Sequence, residues 1–213
     1  MSEPWVRREF GDAGLTQYPP GPALEAWAAR FSGTVILCID CSGSMFGAPL
    51  ADAKEGAREF VATGLAENYS VGIVFWNSRV ECLHEPSRAR KSLEEFLSKG
   101  QASGGNDLIP CLEHVHSVLG PLEGDRVCAI FGDGDISPES AVLTKVGLMK
   151  AEGIRFVTRG LGSWSDQQFQ KLETGSPTGP SPSAGSRVIY ESAGEAVRSM
   201  SAALTAVRRR TQT

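Results

Sequence analysis

The stretch TVILCIDCSGS, residues 34–44, decides the fold. Thr34 to Ile39 is a continuous apolar run, whereas a strand with one face in water alternates apolar and polar residues. The run therefore predicts a parallel strand covered on both faces, with Asp40 at its carboxyl end. Asp40-Cys41-Ser42-Gly43-Ser44 then carries three oxygen-bearing side chains on a glycine-relieved loop leaving that strand.

Working outward, Leu50, Ala53, Ala57, Phe60, Val61 and Leu65 give helical periodicity over residues 49–68. Val71–Trp76 reads as a second buried strand. Arg79–Leu83, after the Asn77-Ser78 turn, reads as an edge strand. Residues 87–98 and 107–119 are helical, and Val127–Phe131 is a buried strand ending in Gly132-Asp133-Gly134-Asp135. A helix over 138–152, a strand at Ile154–Thr158, a helix over 166–173, a strand at Arg187–Tyr190 and a helix over 193–209 complete the pattern. Strands alternating with helices predict an α/β fold, an open and mostly parallel sheet of about six strands with helices on both faces. The Gly/Ser/Pro-rich stretch 175–186 is expected to be a loop away from the strands' carboxyl ends.

Residues 1–31 differ from the rest. Trp5, Phe10, Tyr18 and Pro19-Pro20 precede a short helical stripe of Leu24, Trp27, Ala28 and Phe31. They are expected to form an extension packed on a main domain of residues 32–213. Composition narrows the function. The chain has 213 residues, with 21 Lys plus Arg against 25 Asp plus Glu, so its net charge of −4 gives no basic field for a polyanion. Nucleic acid is not an expected partner. No apolar run approaches the roughly 20 residues that span a bilayer, and MSEPWVRREF lacks the apolar core of a signal peptide. Five cysteines, several in core strands, read as reduced thiols. The expectation is a cytoplasmic protein with no membrane partner.

Open α/β sheets bind ligands beyond the carboxyl ends of their strands. That rule selects three segments: residues 40–45, Gly104-Gly105-Asn106-Asp107, and Gly132-Asp133-Gly134-Asp135. No Lys or Arg occurs in windows 32–53, 100–112 and 127–138, and each window contains an Asp. Carboxylates gathered without a basic partner take up protons or hold a cation. Hydroxyl and amide oxygens beside them select a hard cation, Mg²⁺ first, then Mn²⁺, with Ca²⁺ behind.

These three segments resemble the metal ion-dependent adhesion site of von Willebrand factor A domains, in the intracellular prokaryotic style, with the likeness running over about residues 32–210. The resemblance implies a Rossmann-like central sheet with one short antiparallel edge strand. It also implies metal ligation by Asp40, Ser42, Ser44 and Asp133. The family's Thr ligand falls on Asn106, whose amide oxygen is a suitable hard ligand. The function implied is a metal-dependent protein-interaction module or scaffold whose ion accepts an Asp or Glu from a partner. Partners of such relatives include ATPases, chaperone-like proteins and stress or defence proteins. Met45 and Phe46 could add apolar contact, and the alternative for Phe46 is packing at the helix start.

Other readings carry less weight. Asp40, Asp133 and Asp135 could serve a Mg²⁺-dependent phosphoryl-transfer or hydrolase enzyme. However, no Asp-x-Asp follows the first strand, no Gly-x-Ser-x-Gly surrounds Ser42, and no phosphate-cradling loop occurs, so a non-enzyme is expected. Asp107 reads as a helix cap and Asp135 as a turn residue. Cys38-x-x-Cys41, Cys82-x-His84 and Cys111-x-x-His114-x-His116 suggest zinc, but strand and helix geometry separates them. Arg208-Arg209-Arg210 reads as a solvated helix end.

Overall fold

The computed structural model describes residues 32–134, 136–174, 192–202 and 204. Among the described residues five strands form one sheet in the order β3-β2-β1-β4-β5. They are β1 (Gly33–Asp40), β2 (Tyr69–Trp76), β3 (Val80–Ser87), β4 (Asp125–Gly132) and β5 (Ile154–Gly160). β1 pairs in parallel with β2 on one side and β4 on the other, β4 pairs in parallel with β5, and β3 alone runs antiparallel, at the edge. The sheet is thus mostly parallel with one antiparallel edge strand, as the sequence implied. The Arg187–Tyr190 strand expected as a sixth, the loop over 175–186, the extension over 1–31 and the end of the last helix lie outside the described residues.

The helices are α1 (Ala48–Ala66), α2 (Arg90–Leu97), α3 (Ile109–Leu119), α4 (Glu139–Ala151), α5 (Gly162–Gln170) and α6 (Ala193–Ser199). Alternate residues of β1 feed two separate cores. Val35, Leu37 and Ile39 join Phe60, Val61, Leu93, Phe96, Ala196 and Val197, which places α1, α2 and α6 on one face. Ile36 and Cys38 join Leu112, Val115, Val142, Val146 and Phe169, which places α3, α4 and α5 on the other. Both faces being covered explains the unbroken apolar run of β1: neither parity of the strand meets water.

Most boundaries shift by a few residues, and two move further than the rest. β3 runs on to Ser87, through His84 and Pro86, instead of ending at Leu83. Its half-buried edge position and irregular register against β2 accommodate the proline, because an edge strand has N–H groups that need no ladder partner. α5 begins at Gly162, four residues before the expected start, with Trp164 exposed and Ser165 buried.

Candidate metal centre

The chain leaves β1 toward β2 through α1, while β4 pairs on the opposite side of β1, so strand order reverses between β1 and β4. A crevice opens at the carboxyl ends of two such strands because their connections depart in opposite directions. Asp40 is the last residue of β1, and Asp133 directly follows β4.

The β1 loop is shaped by its own polar groups. Cys41 N–H extends the ladder to Trp76 O at 2.8 Å, and Ser42 N–H turns back to Asp40 Oδ1 at 2.7 Å. One turn of 3-10 helix, Gly43–Met45, follows, closed by Met45 N–H to Ser42 O at 3.0 Å. This turn sets Ser42 Oγ 3.0 Å from Ser44 Oγ, and Ser44 Oγ donates to Asp133 Oδ1 at 2.8 Å. The first and third segments therefore meet through side chains.

The second segment is tied to the first mainly by backbone. Gly43 N–H reaches Gly104 O at 3.2 Å, and Ser103 N–H reaches Cys41 O at 2.8 Å. Buried Asn77 staples the same region, its side-chain amide donating to Ser103 O at 2.8 Å while its backbone carbonyl accepts Asp107 N–H at 3.0 Å. The third segment is braced from β5 and α5. Leu161 N–H bonds Gly132 O at 3.0 Å, and the Ser165 hydroxyl donates to Asp133 O. Asn77 and Ser165 were not foreseen as parts of the site. Their bonds join residues distant in the chain, and a lone Asn or Ser carries no signal of such a role.

The two carboxylates have different surroundings. Asp40 is fully buried, and its Oδ2 accepts no well-aligned hydrogen bond among the described residues. Burial pushes its carboxyl up to about 6, an effect that the Ser42 N–H and hydroxyl offset in part and the neighbouring Asp133 charge reinforces. Asp133 is half-buried and Ser44 exposed, so the set grades from a deep carboxylate through Ser42 to a face open to solvent.

Asn106 is half-buried and stands against the third segment: a Cβ built on Gly134 would lie 2.3 Å from Asn106 Nδ2. All five residues expected as ligands, Asp40, Ser42, Ser44, Asn106 and Asp133, thus lie on the three loops at one sheet edge. Asp107 accepts Ile109 N–H at 3.0 Å at the start of α3, the capping role expected of it. Asp135 lies outside the described residues. Met45 needs a correction. It is fully buried in the core beneath the loop, so it offers no contact to a partner. Phe46 is 78% exposed and does not pack at the helix start. The zinc patterns do not assemble as expected ligand sets: Cys38 lies against Cys111 and Cys128 in the core, all three and Cys41 being buried free thiols, while His116 meets Glu152 and Lys145, and His84 meets Ser92. Among the described residues no group of three or more His, Cys, Asp or Glu side chains is suited to a metal.

The oxygens present suit a hard divalent ion. Neighbouring vertices of an octahedron with metal–oxygen bonds of 2.0–2.1 Å are about 2.9 Å apart. The Ser42–Ser44 and Ser44–Asp133 oxygen separations, 3.0 and 2.8 Å, bracket that value. A buried carboxylate oxygen without a well-aligned donor is the remaining feature such an ion would satisfy.

Comparison with known proteins agrees with this architecture. The model of the von Willebrand factor type A domain matches residues 35–135, from β1 through the acidic turn after β4. A von Willebrand factor A domain-containing protein of Dictyostelium discoideum is 30% identical over 140 residues, covering 63% of this chain and 15% of the relative. The chain thus spans a small part of the length of that curated relative. Among solved structures, the vWF domain of the type V pili tip protein Mfa5 from Porphyromonas gingivalis has a TM-score of 0.69. It is 10% identical, covering 84% of this chain and 96% of that one. Proximal thread matrix protein 1 from the mussel byssus, described with a zinc-occupied MIDAS motif, has a TM-score of 0.58. It is 15% identical, covering 68% of this chain and 40% of that one. At these identities the two structures speak for the fold. With the fold, the matched segment and the named relatives in agreement, residues 35–135 correspond to a von Willebrand factor type A domain, a domain type that is generally a protein-interaction module.

Proposed function

We propose that this chain is a metal-dependent protein-interaction module. Asp40, Ser42, Ser44 and Asp133 hold a divalent cation, Mg²⁺ or Mn²⁺, with Asn106 completing the rim. The observation that carries this reading is the run of oxygens from Ser42 through Ser44 to Asp133 at octahedral spacing, beside the buried Asp40 carboxylate that accepts Ser42 N–H. Two carboxylates leave a divalent ion close to neutral, so when bound it acts as a Lewis acid toward one further oxygen ligand. An Asp or Glu from a partner protein supplies that oxygen, and the graded burial turns the open side of the site toward solvent.

The test is capture of partners from the native cell by tagged full chain, with four demands on any partner found. Binding disappears in EDTA, returns with Mg²⁺ or Mn²⁺, fails with Asp133→Ala, and fails when one Asp or Glu of the partner is replaced. Full binding in chelator would place the interaction on another surface. Metal-dependent turnover of phosphoesters by pure protein, lost in Asp40→Asn and Asp133→Ala, would replace this reading with a hydrolytic one.

A further inference from the structure

Two of the most exposed large apolar side chains among the described residues stand beside the metal-binding loops. Phe46, 78% exposed, follows Ser44 by two residues, and its N–H is pinned to Gly43 O at 3.2 Å. Trp164, 57% exposed, directly precedes Ser165, whose hydroxyl holds the Asp133 carbonyl. Because β4 lies between β1 and β5, the Asp133 turn lies between the loop bearing Phe46 and the helix bearing Trp164. Trp164 also borders a shallow pocket with Ile136, Ser137, Glu139 and Gln168, immediately past the acidic turn. Both aromatics are held in place by backbone that the site itself requires. Their exposure is thus a property of the site's surroundings and not of a loose terminus.

We propose that Phe46 and Trp164 form an apolar rim that selects, among carboxylates presented to the metal, an Asp or Glu flanked in its own chain by apolar side chains. This rests on the metal-dependent reading above. The metal fixes one point of the partner, and the partner's backbone must leave that point in two directions. Side chains of an extended segment alternate in direction at about 3.3 Å per residue, so the residues two before and two after the Asp face the same surface as it does, toward the ground on either side of the Asp133 turn that the two aromatics flank. Apolar flanks bury against them and exclude water from the metal–carboxylate bond, as rims of near-neutral contacts do around an anchoring residue. Further acidic residues gain little there, because the three loop windows contain no Lys or Arg and Lys171, beside the Trp164 pocket, is already paired with Glu139.

The experiment uses the full chain saturated with Mg²⁺ and capped seven-residue peptides whose central Asp is flanked on both sides by Leu, by Ser or by Asp. Titration calorimetry should find the Leu-flanked peptide about tenfold tighter than the other two, the scale of a modest interface anchor. Phe46→Ser and Trp164→Ser together should erase that preference while leaving the affinity for Mg²⁺ and for the Ser-flanked peptide unchanged. Equal affinity for all three peptides, or a preference that survives the double substitution, overturns the proposal. If Mg²⁺ binds but no peptide does, the rim has a different occupant, such as residues 1–31 or a second copy of the chain. The proposal then falls while the metal site stands. If Mg²⁺ itself fails to bind, the metal-dependent reading fails, and the rim proposal falls with it.

Discussion

Asp40 shows how burying a carboxylate sets its charged form against stability. Its carboxyl titrates near 6 in the folded chain, against about 3.9 in an unfolded one. The folded state holds the proton more tightly, so Asp40's stabilising contribution is full below about pH 4 and is lost as pH rises through about 6. Two units correspond to about 3 kcal/mol lost above that range. Asp40→Asn should abolish this dependence. It should also leave the metal-free chain about 1–2 kcal/mol more stable at pH 7.5, after the cost of burying an unpartnered amide hydrogen. Urea melts in EDTA at pH 4.5, 6 and 7.5 check this, and an unchanged pH slope in the variant would contradict it. Asn106 makes a second prediction. Asn106→Thr should keep or strengthen Mg²⁺ affinity, and Asn106→Ala should weaken it. Gly134→Ala should weaken it too, because the added methyl occupies the place of the Asn106 amide. Unchanged affinity in all three variants would remove Asn106 from the site. The three segments that carry Asp40, Ser42, Ser44, Asn106 and Asp133 were legible in the sequence because strand ends and glycine-rich turns mark them, and the choice of residues within them came from the family resemblance. The seat of Asn106 against Gly134 was not legible, because it joins two loops far apart in the chain.

Among the elements, α1 carries two burdens: it begins just past the site loop, and it packs along α6. The axes approach so closely at one point that a Cβ on Gly56 would lie 2.3 Å from Gly194 O. The obstacle is backbone, which no rotamer change can clear. Gly56→Ala should therefore destabilise the fold by about 1–3 kcal/mol, the usual cost of overpacking. Gly147 of α4 is the matched control, exposed and with nothing within 4 Å of an added methyl. Gly147→Ala should stabilise by about 0.5–1 kcal/mol through helix propensity alone. Chemical denaturation of both variants checks the pair, and a similar sign for both would contradict the close-approach argument. Above Gly56, Asp52 accepts Gly194 N–H at 2.9 Å and the Ser192 hydroxyl, which anchors the start of α6 to the first turns of α1. The strands were legible because burial on both faces leaves an apolar run that no turn interrupts. The half-buried edge strand was harder to delimit, since its pattern blurs into the neighbouring loop. The approach of α1 to α6 left no trace beyond two glycines 138 positions apart.

Across the whole molecule the two ends of the sheet contrast. At the amino ends, Arg155 meets both oxygens of Asp125 at 2.8 Å, and the Tyr69 hydroxyl donates to the same carboxylate, so charge there is matched. At the carboxyl ends, Asp40 and Asp133 face each other with only hydroxyls and amides between them, in loops without a Lys or Arg. The reversal of strand order places that unmatched charge in an open crevice. On the proposed reading, a divalent cation completes this end as Arg155 completes the other. The most direct measurement is calorimetric titration of the full chain with Mg²⁺ and Mn²⁺ at pH 7.5, beside Asp40→Asn and Asp133→Ala shown by circular dichroism to be folded. A single site is expected in the native chain and none in either variant. Equal binding by the variants, or none by the native chain, would contradict it.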